Sequence, residues 1–474
     1  MVCKDFAYPK LMGFFEELSA IPRASYHEEK IADYLVAFAQ ARGLSYYRDS
    51  IGNVLIDLPA TAGREGEAAI LLQGHVDMVC EKNEGVVHDF EKDPLDLYVE
   101  NGWLRARGTT LGADNGVAVA VMLALLDGAA ESHPALQCLF TVSEEVGLDG
   151  AKAFDYTRVS ARKMINMDSA DESCIIVGCA GGLRSLLTLP IVMKKTYAPA
   201  YTLKISGLAG GHSGEDIHRG RANANKLMGR LLAALSDVSA DLRLVSVSGG
   251  SKDNAIPREA VATVVSVDPF LLAHTREVAE QIAAELAKDD AAFSLQIAGA
   301  EATRAMDALS TKRVIFALAT VPNGVFAVNQ ELSGLVEFSR NLGVVETTET
   351  GVELTFSSRS ARDAQIDWSA KEIDLYAAQL GGTTKHYNRY PGWNFADASA
   401  VRDQYVAAYR KLYGKEPRLE VIHAGLECGF IKQAVPDMDI ISCGPIVLDL
   451  HSPDEALELS SFERFFALIL EVLA

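Results

Sequence analysis

The stretch that most constrains the fold of this chain is a short apolar run that ends in alternating polar residues. Residues 69–72 have the length and composition of a buried β-strand, and Gln73-Gly74-His75-Val76-Asp77 follows them directly. In extended chain, side chains two residues apart point the same way, so we expect His75 and Asp77 to face one side together. A neutral imidazole is a common metal ligand, and a nearby carboxylate can fix its tautomer. A single His-x-Asp is equally compatible with an ordinary buried histidine.

Four further acidic or imidazole residues stand at the ends of apolar runs. They are Asp114, Glu145, Asp168 and His451. In open α/β sheets, ligands bind at the edge formed by the carboxyl ends of the strands, so we expect these side chains to meet His75 there. Glu144 directly precedes Glu145, and adjacent carboxylates at the end of a buried strand are costly unless a positive charge offsets them.

The expected set contains imidazoles and carboxylates but no thiolate. Such donors suit borderline or hard divalent ions, with Zn²⁺ the first choice and Mn²⁺ or Co²⁺ as alternatives. One catalytic ion rarely needs five protein ligands. Two ions that share one carboxylate would each keep three protein ligands and room for water. The ordinary alternatives are that Asp114 caps a helix and that the glutamates are solvated at the surface.

The pattern of strands and helices changes in the middle of the chain. Residues 185–390 follow a pattern of strand, helix, strand and strand with a rough second pass of the same kind, which indicates an inserted α+β domain that could consist of two related halves. The flanking parts, residues 1–184 and 391–474, are predicted to form one α/β domain with a central mixed sheet flanked by helices. Near the C-terminus, Pro453 predicts the first turn of the last helix.

Charge and cysteine content bound the partners and the compartment. The 474-residue chain has a net charge of −20, which disfavours nucleic acid and anionic membranes as partners. The chain has seven cysteines, an odd number, and no Cys-x-x-Cys motif. This cysteine content is typical of a cytoplasmic protein with reduced thiols. The first ten residues lack the apolar run of a signal peptide, and no run is long enough for a spanning helix. We therefore predict a cytoplasmic protein.

Five motifs at these positions, in this order, resemble those of a known family. They are Gly74-His75-Val76-Asp77, Gly112-Ala113-Asp114-Asn115-Gly116, Ser143-Glu144-Glu145-Val146-Gly147, Met167-Asp168 and Leu450-His451-Ser452. The family is that of the dizinc exopeptidases, which includes carnosinases, aminoacylase and the glutamate carboxypeptidases. Further similar segments lie at 208–214, 252–260, 390–393 and 423–429. The resemblance covers essentially the whole chain, and no ligand position departs from it.

The resemblance implies a role for each ligand. Asp114 would bridge two ions, His75 and Asp168 would complete one site, and the other site would use Glu145 and His451. The ions would polarise the scissile carbonyl and lower the pKa of a water between them. The resemblance also implies a cis peptide bond after Asp114.

The resemblance implies roles for two further residues beside the ligands, one that positions a ligand and one that transfers a proton. Asp77 would orient His75. Glu144 would be the general base, taking a proton from the attacking water and passing it to the leaving amine.

The resemblance further implies that the inserted domain is a lid over the substrate. His212, within a glycine-rich segment, would stabilise the tetrahedral oxyanion. The candidates for substrate binding are Asn254, Arg359, His423 and Glu427, and an arginine suits a substrate carboxylate. For each of them an ordinary structural role is the alternative. The lid histidine could act within one chain or across a homodimer.

The implied activity is metal-dependent hydrolysis of dipeptides, including those that end in histidine. An alternative is an amidohydrolase of the same architecture that acts on N-acyl amino acids. A third interpretation is a non-catalytic metal-binding scaffold. A dipeptidase needs the free amine of its substrate and a deacylase does not, so dependence on that amine separates the first two.

Overall fold

The computed structural model describes Cys3, residues 6–329 and residues 335–474. The chain forms two compact units. Unit 1 comprises Met1–Cys179, Trp393–Val421 and Leu426–Ala474, and unit 2 comprises Ala180–Gly392 and Ile422–Gly425. Residues 185–390, which the sequence assigns to an inserted domain, lie within unit 2. A membrane-spanning helix is not found among the described residues.

Unit 1 is built on a mixed sheet. From one edge to the other its strands are Ser45–Arg48, Val54–Leu58, Leu136–Thr141, Ile70–His75, Lys163–Asn166, Asp439–Ser442, Cys174–Cys179 and Arg418–Ile422. Ile70–His75 pairs in parallel with both of its neighbours. Because parallel strands end at the same edge, His75, Glu144 and Asp168 all follow strand ends on one side of the sheet.

Helices pack against this sheet and complete the core of unit 1. They are Pro9–Ser19, Glu29–Ala41, Ala113–Leu126, Asp149–Ala153, Ala400–Tyr413, Cys428–Ala434 and Leu459–Leu473, with a 3₁₀ turn at Tyr156–Arg158. Ala113–Leu126 contacts both Pro9–Ser19 and Ile70–His75 and is buried along nearly its whole length. This burial explains why its sequence is apolar on all sides and not only along one stripe.

A second, smaller sheet of unit 1 corrects two predictions near the C-terminus. It contains Val447–Leu448, Ala456–Glu458, Trp103–Ala106 and Leu97–Glu100. The apolar run before His451 was expected to be a strand of the main sheet, but only Val447–Leu448 forms a strand and it lies in the smaller sheet. The prediction that Pro453 opens the last helix is wrong, because Ala456 and Leu457 pair with other strands and the helix begins at Leu459.

Unit 2 is built on an antiparallel sheet covered by helices. Its strands, in order, are Ser294–Ala300, Ala200–Ser206, Ala260–Val265, Arg243–Gly249, Val336–Thr347, Gly351–Ser360, Gly181–Pro190 and Thr383–Tyr390, with Gly324–Val328 paired to Val336–Thr347. The long helices are Ala224–Val238, Leu271–Glu285, Ala308–Thr320 and Asp363–Leu380. Leucines of both the sheet and the helices are buried together in its core, which is separate from the core of unit 1.

Short elements complete unit 2. They are the strand pairs Met193–Lys195 with Arg304–Met306 and Gly211–His212 with Ala255–Ile256, and the 3₁₀ turns Ile217–Arg219 and Lys288–Asp290. The pairing of Gly211–His212 with Ala255–Ile256 brings the loop of His212 beside that of Asn254, whose carbonyl oxygen accepts a hydrogen bond from Ser213.

Candidate metal centre

His75 ends its strand as a buried imidazole with a different neighbour on each ring nitrogen. Nδ1 lies 3.1 Å from the carbonyl oxygen of Asp77 and 3.3 Å from its Oδ1. Nε2 lies 3.0 Å from Oδ1 of Asp114 and 3.7 Å from Oδ1 of Asp168. In a neutral ring, a proton on Nδ1 would satisfy Asp77 and Nε2 would offer its lone pair to a cation, which is the tautomer that a metal ligand needs.

Asp114 presents its two carboxylate oxygens to two different histidines. Oδ1 faces His75 at 3.0 Å from Nε2, and Oδ2 lies 3.3 Å from Nε2 of His451. The residue sits at an irregular first turn of Ala113–Leu126, where its backbone is not helical. The peptide bond between Asp114 and Asn115 is cis, as the family resemblance implied.

The structure brings together all five residues that the sequence suggested as ligands. Among the described residues, the groups with potential ligand atoms within 4.8 Å of one another are His75–Asp114–Asp168, Asp114–Glu145–His451 and His75–Glu144–Glu145. The first two share Asp114. In the third, Glu144 Oε2 is 4.0 Å from His75 Nε2, so His75, Glu144 and Glu145 together form an alternative cation site to the two groups that share Asp114.

Three carboxylates of this cluster are buried without enough nearby positive charge to keep their pKa values at the ordinary level. Burial raises the pKa of Glu144 well above its ordinary value, and it also raises the pKa of Glu145 and Asp168. One oxygen of Glu145, Oε1, is buried without any hydrogen-bond partner. A divalent cation would offset both deficits, because it stabilises the charged carboxylates and binds an orphaned oxygen. The donor set therefore fits the ions that the sequence suggested.

The histidines carry the compensating charge in the protein alone. Hydrogen bonds to Asp114 and Glu145 raise the pKa of His451 to about 11. Burial lowers the pKa of His75, but hydrogen bonds to Asp114 and other carboxylates outweigh it and hold that pKa well above its usual range. Cation binding would release both protons, since only a neutral imidazole can be a ligand.

Asp77 connects the two halves of the cluster. Besides its contacts with His75, its Oδ1 accepts the N–H of Glu144 at 3.0 Å and its Oδ2 accepts the N–H of Glu145 at 3.2 Å. Ser25 also donates its hydroxyl to Oδ2, at 2.8 Å. One buried carboxylate thus fixes the histidine and the peptide of both glutamates. Ser25 could not be identified as part of the site from the sequence, because a single serine in a loop has no motif around it.

In unit 2, His212 is half-buried and set up as a neutral hydrogen-bond donor. Its Nδ1 accepts the N–H of Glu215 at 3.2 Å, which leaves the proton of a neutral ring on Nε2. Burial and the nearby guanidinium of Arg359 lower the pKa of His212. The ring can therefore donate a hydrogen bond from Nε2 without carrying a charge.

Three of the residues suggested for the oxyanion or the substrate lie around Gly214 in unit 2. A Cβ on that glycine would be 3.2 Å from His212 Cε1, 3.3 Å from Arg359 Nε and 2.4 Å from the carbonyl oxygen of His423. Arg359 donates from Nη1 to the hydroxyl of Tyr390 at 3.0 Å, while its Nε is buried without a partner. The unused donor leaves Arg359 free to bind an anionic group.

His423 and Glu427 lie deeper than a role in substrate binding suggests. Nε2 of His423 is 2.7 Å from Oγ of Ser339, and burial lowers the pKa of His423 to about 3, so the ring is neutral. Glu427, in unit 1, is 0% exposed and accepts hydrogen bonds from Gln73 and Thr141. Burial raises the pKa of Glu427 to about 7. Gln73 and His75 are two residues apart in one strand, so Glu427 lies on the face of the sheet that His75 occupies, where the charges of His75 and Asp168 act on its pKa.

Comparison with known proteins finds relatives over the whole chain. The model of peptidase family M20/M25/M40 matches residues 71–474. The chain is 40% identical to the cytosol non-specific dipeptidase of Escherichia coli (strain K12), over 98% of this chain and 96% of that protein. The structure of aminoacylhistidine dipeptidase from Vibrio alginolyticus is similar with a TM-score of 0.92 and 37% identity, over 99% of this chain and 97% of that one.

More distant structures share the fold alone. Aminopeptidase PepT from Bacillus cereus matches with a TM-score of 0.56 at 16% identity, over 99% of this chain and 98% of that one. Together these matches confirm the family resemblance and the α/β fold class that the motifs predicted.

Proposed function

This chain belongs to peptidase family M20/M25/M40 and is a metal-dependent dipeptidase, and we propose that it cleaves unblocked dipeptides at a centre of two divalent cations that share Asp114. The observation that carries the proposal is the divergence of the Asp114 oxygens toward His75 and His451. The related proteins are named a non-specific dipeptidase and an aminoacylhistidine dipeptidase. These names support dipeptides as substrates, with Xaa-His among them, and a cytoplasmic location.

The residues that would hold the cations follow from the two groups that share Asp114. His75 and Asp168 would complete one site, and the other site would use Glu145 and His451. Zn²⁺ fits this mixture of imidazole and carboxylate best, and Mn²⁺ or Co²⁺ also fits. When bound, the cations would polarise the scissile carbonyl and lower the pKa of a nearby water.

Glu144 would move the proton. It lies at the cluster but is absent from both groups that share Asp114, and burial raises the pKa of its carboxyl, which favours a proton acceptor that can later donate. The N–H of Glu144 is held by Asp77, so its backbone is fixed beside the site. Glu144 would accept the proton of the attacking water and deliver it to the amine that leaves.

Unit 2 would supply groups that recognise the substrate and its tetrahedral state. We assign His212 to the oxyanion, because its neutral ring has a proton on Nε2. Arg359, with its unpaired Nε, and Asn254 would bind the substrate carboxylate. His423 lies beside the same glycine as Arg359, Gly214, and would help to orient the Arg359 side chain. Glu427 would support the strand of His75 through Gln73 and Thr141.

Replacing His212 should reduce turnover without removing metal. We expect His212→Ala to lower kcat by about 10²- to 10³-fold, because it removes one oxyanion donor. The metal content should equal that of the wild type. His218→Ala is the matched control, because His218 is an exposed histidine of the same segment, and it should behave as the wild type. Wild-type kinetics in His212→Ala would make the histidine an ordinary loop residue, whether the enzyme acts as one chain or as a homodimer.

Substrate length and a free amine should both matter. Anchors for two charged ends select a dipeptide, because a third residue leaves one buried charge without its partner. We expect Ala-His to be cleaved at least about 100-fold faster than Ala-Ala-His or acetyl-Ala-His at equal metal loading. Measuring kcat/KM for these three peptides tests both ends. Comparable values for all three would contradict the anchors, and preference for acetyl-Ala-His would favour an N-acyl amidohydrolase.

A further inference from the structure

Arg23 is a buried arginine that connects two segments of the candidate centre. It lies between the helices Pro9–Ser19 and Glu29–Ala41 and is only 3% exposed. Its Nη1 donates to the carbonyl oxygens of Val76, at 2.9 Å, and Asp77, at 3.2 Å. Its Nη2 donates to the carbonyl oxygen of Gly112 at 2.6 Å. One guanidinium therefore joins the backbone just after His75 to the loop that leads to Asp114.

Glu455 holds the same loop through its N–H groups. The residue is 2% exposed, and its Oε2 accepts from the N–H of Leu111 at 2.8 Å and of Gly112 at 2.9 Å. Its Oε1 accepts from the N–H of Asp114 itself, at 3.2 Å. Both carboxylate oxygens are thus used on the backbone from Leu111 to Asp114.

The fit between Arg23 and this loop is close. A Cβ on Gly112 would lie 2.4 Å from Nη2 of Arg23 and 2.8 Å from Sδ of Met78, and the φ of Gly112 is +67°. A Cβ on Gly116 would lie 3.0 Å from the same Nη2. The glycines on both sides of Asp114 therefore leave the space that the guanidinium fills. The guanidinium therefore packs directly against the loop on both sides of Asp114.

Charge also couples the two residues. Burial lowers the pKa of the Arg23 guanidinium, and the carboxylate of Glu455 opposes this most strongly, followed by that of Asp77. A buried cation needs such partners, and a buried carboxylate needs donors, so each residue makes the burial of the other less costly. The hydrogen bonds of both side chains go to backbone atoms of these two segments. Both side chains act on the backbone that carries the proposed metal ligands.

We propose that Arg23 and Glu455 are positioning residues that fix Asp114 so that each of its oxygens meets a different cation. The inference rests on the proposed function, in which Asp114 serves both cations. Because one residue is shared, a small displacement of its backbone changes the ligand geometry at both positions together. Loss of either positioning residue should therefore weaken both cations, whereas loss of an unshared ligand weakens mainly one.

The test uses Glu455→Gln and Arg23→Lys, which keep side-chain size or charge. Glutamine cannot accept all three N–H groups, and lysine cannot reach both segments with one planar group. The control is Glu372→Gln in unit 2, which disturbs a carboxylate 2.7 Å from another buried arginine, Arg340. Each chelator-treated protein is titrated with Zn²⁺ by calorimetry, the Co²⁺-loaded form is examined by visible absorption, and circular dichroism verifies folding.

We expect both variants to fold and to bind two Zn²⁺ ions about 10- to 100-fold more weakly at both positions, with altered Co²⁺ bands. The control should match the wild type in affinity and spectrum. Two Zn²⁺ ions bound with wild-type affinity and an unchanged spectrum in either folded variant would overturn the inference. If one variant does not fold, the other decides by the same criteria. Fewer than two ions in the wild type would instead contradict the two-cation centre itself.

Discussion

Glu144→Gln should bind as much metal as the wild type and lose about 10²- to 10⁴-fold in kcat, whereas Glu145→Gln should lose metal as well. The two residues are adjacent, and Asp77 holds both of their N–H groups. Their side chains nevertheless have different surroundings. Glu145 Oε2 lies 3.3 Å from Nε2 of His451, and its other oxygen is buried without a partner, as expected of a ligand without its cation.

Glu144, in contrast, belongs to neither of the two ligand groups that contain Asp114. Its closest approach to a histidine of the cluster is 4.0 Å, from Oε2 to Nε2 of His75. Replacing its carboxylate by an amide removes the proton acceptor but leaves both groups that share Asp114 intact. The loss should therefore fall on the chemical step.

Metal content by mass spectrometry and kcat on Ala-His, measured on the same preparations, separate the two roles. Each variant is the control for the other, because both remove one charge from neighbouring positions. Equal metal loss in both variants would mean that the group formed by His75, Glu144 and Glu145 binds a cation. Full activity in Glu144→Gln would exclude it as the general base.

Removing metal should abolish turnover, and restoring about two divalent ions per chain should return it. Burial raises the pKa of the carboxylates Glu145 and Asp168. Without a cation, hydrogen bonds to Asp114 and Glu145 raise the pKa of His451, which favours the protonated ring. In that state His451 cannot be a ligand, and the scissile carbonyl has no Lewis acid. Activity is followed on Ala-His during chelation and then during titration with Zn²⁺ or Mn²⁺. His75→Ala should not recover on titration.

The control for chelation is circular dichroism of the stripped protein, which should show that it is still folded. Full activity of the stripped protein, with absence of metal verified by mass spectrometry, would contradict a metal-dependent mechanism. Recovery complete at one ion per chain would contradict the two-cation centre while leaving metal dependence intact.

The strands of the main sheet that carry His75, Glu144 and Asp168 could be predicted from the sequence, because they are apolar and polar residues follow them. Ile70–His75 is buried at every position, and the parallel pairing of its neighbours follows from strands that alternate with apolar helices. His75, Glu144 and Asp168 could therefore be placed at one edge from pattern alone. The pairing of ligands into two groups came from the family resemblance.

The sequence was less informative where long-range contacts decide the structure. His451 was expected at the end of a strand of the main sheet, but the strand before it is only Val447–Leu448 and pairs in the smaller sheet. Arg23 and Glu455 gave no signal, because the atoms that they bind belong to backbone far away in sequence. Glu427 lies in residues 423–429, a segment that resembles the family, but its side chain is buried. The burial of a single glutamate cannot be predicted from its neighbours in the chain.

The most direct measurement of the shared centre is anomalous diffraction at the zinc edge from crystals of the Zn²⁺-loaded protein. We expect two peaks about 3.5–4 Å apart, on either side of Asp114, with each of its oxygens about 2.0–2.2 Å from one peak. His75 and Asp168 should bind one ion, and Glu145 and His451 the other. A single peak, or two peaks with Asp114 bound to only one of them, would contradict the centre that we propose.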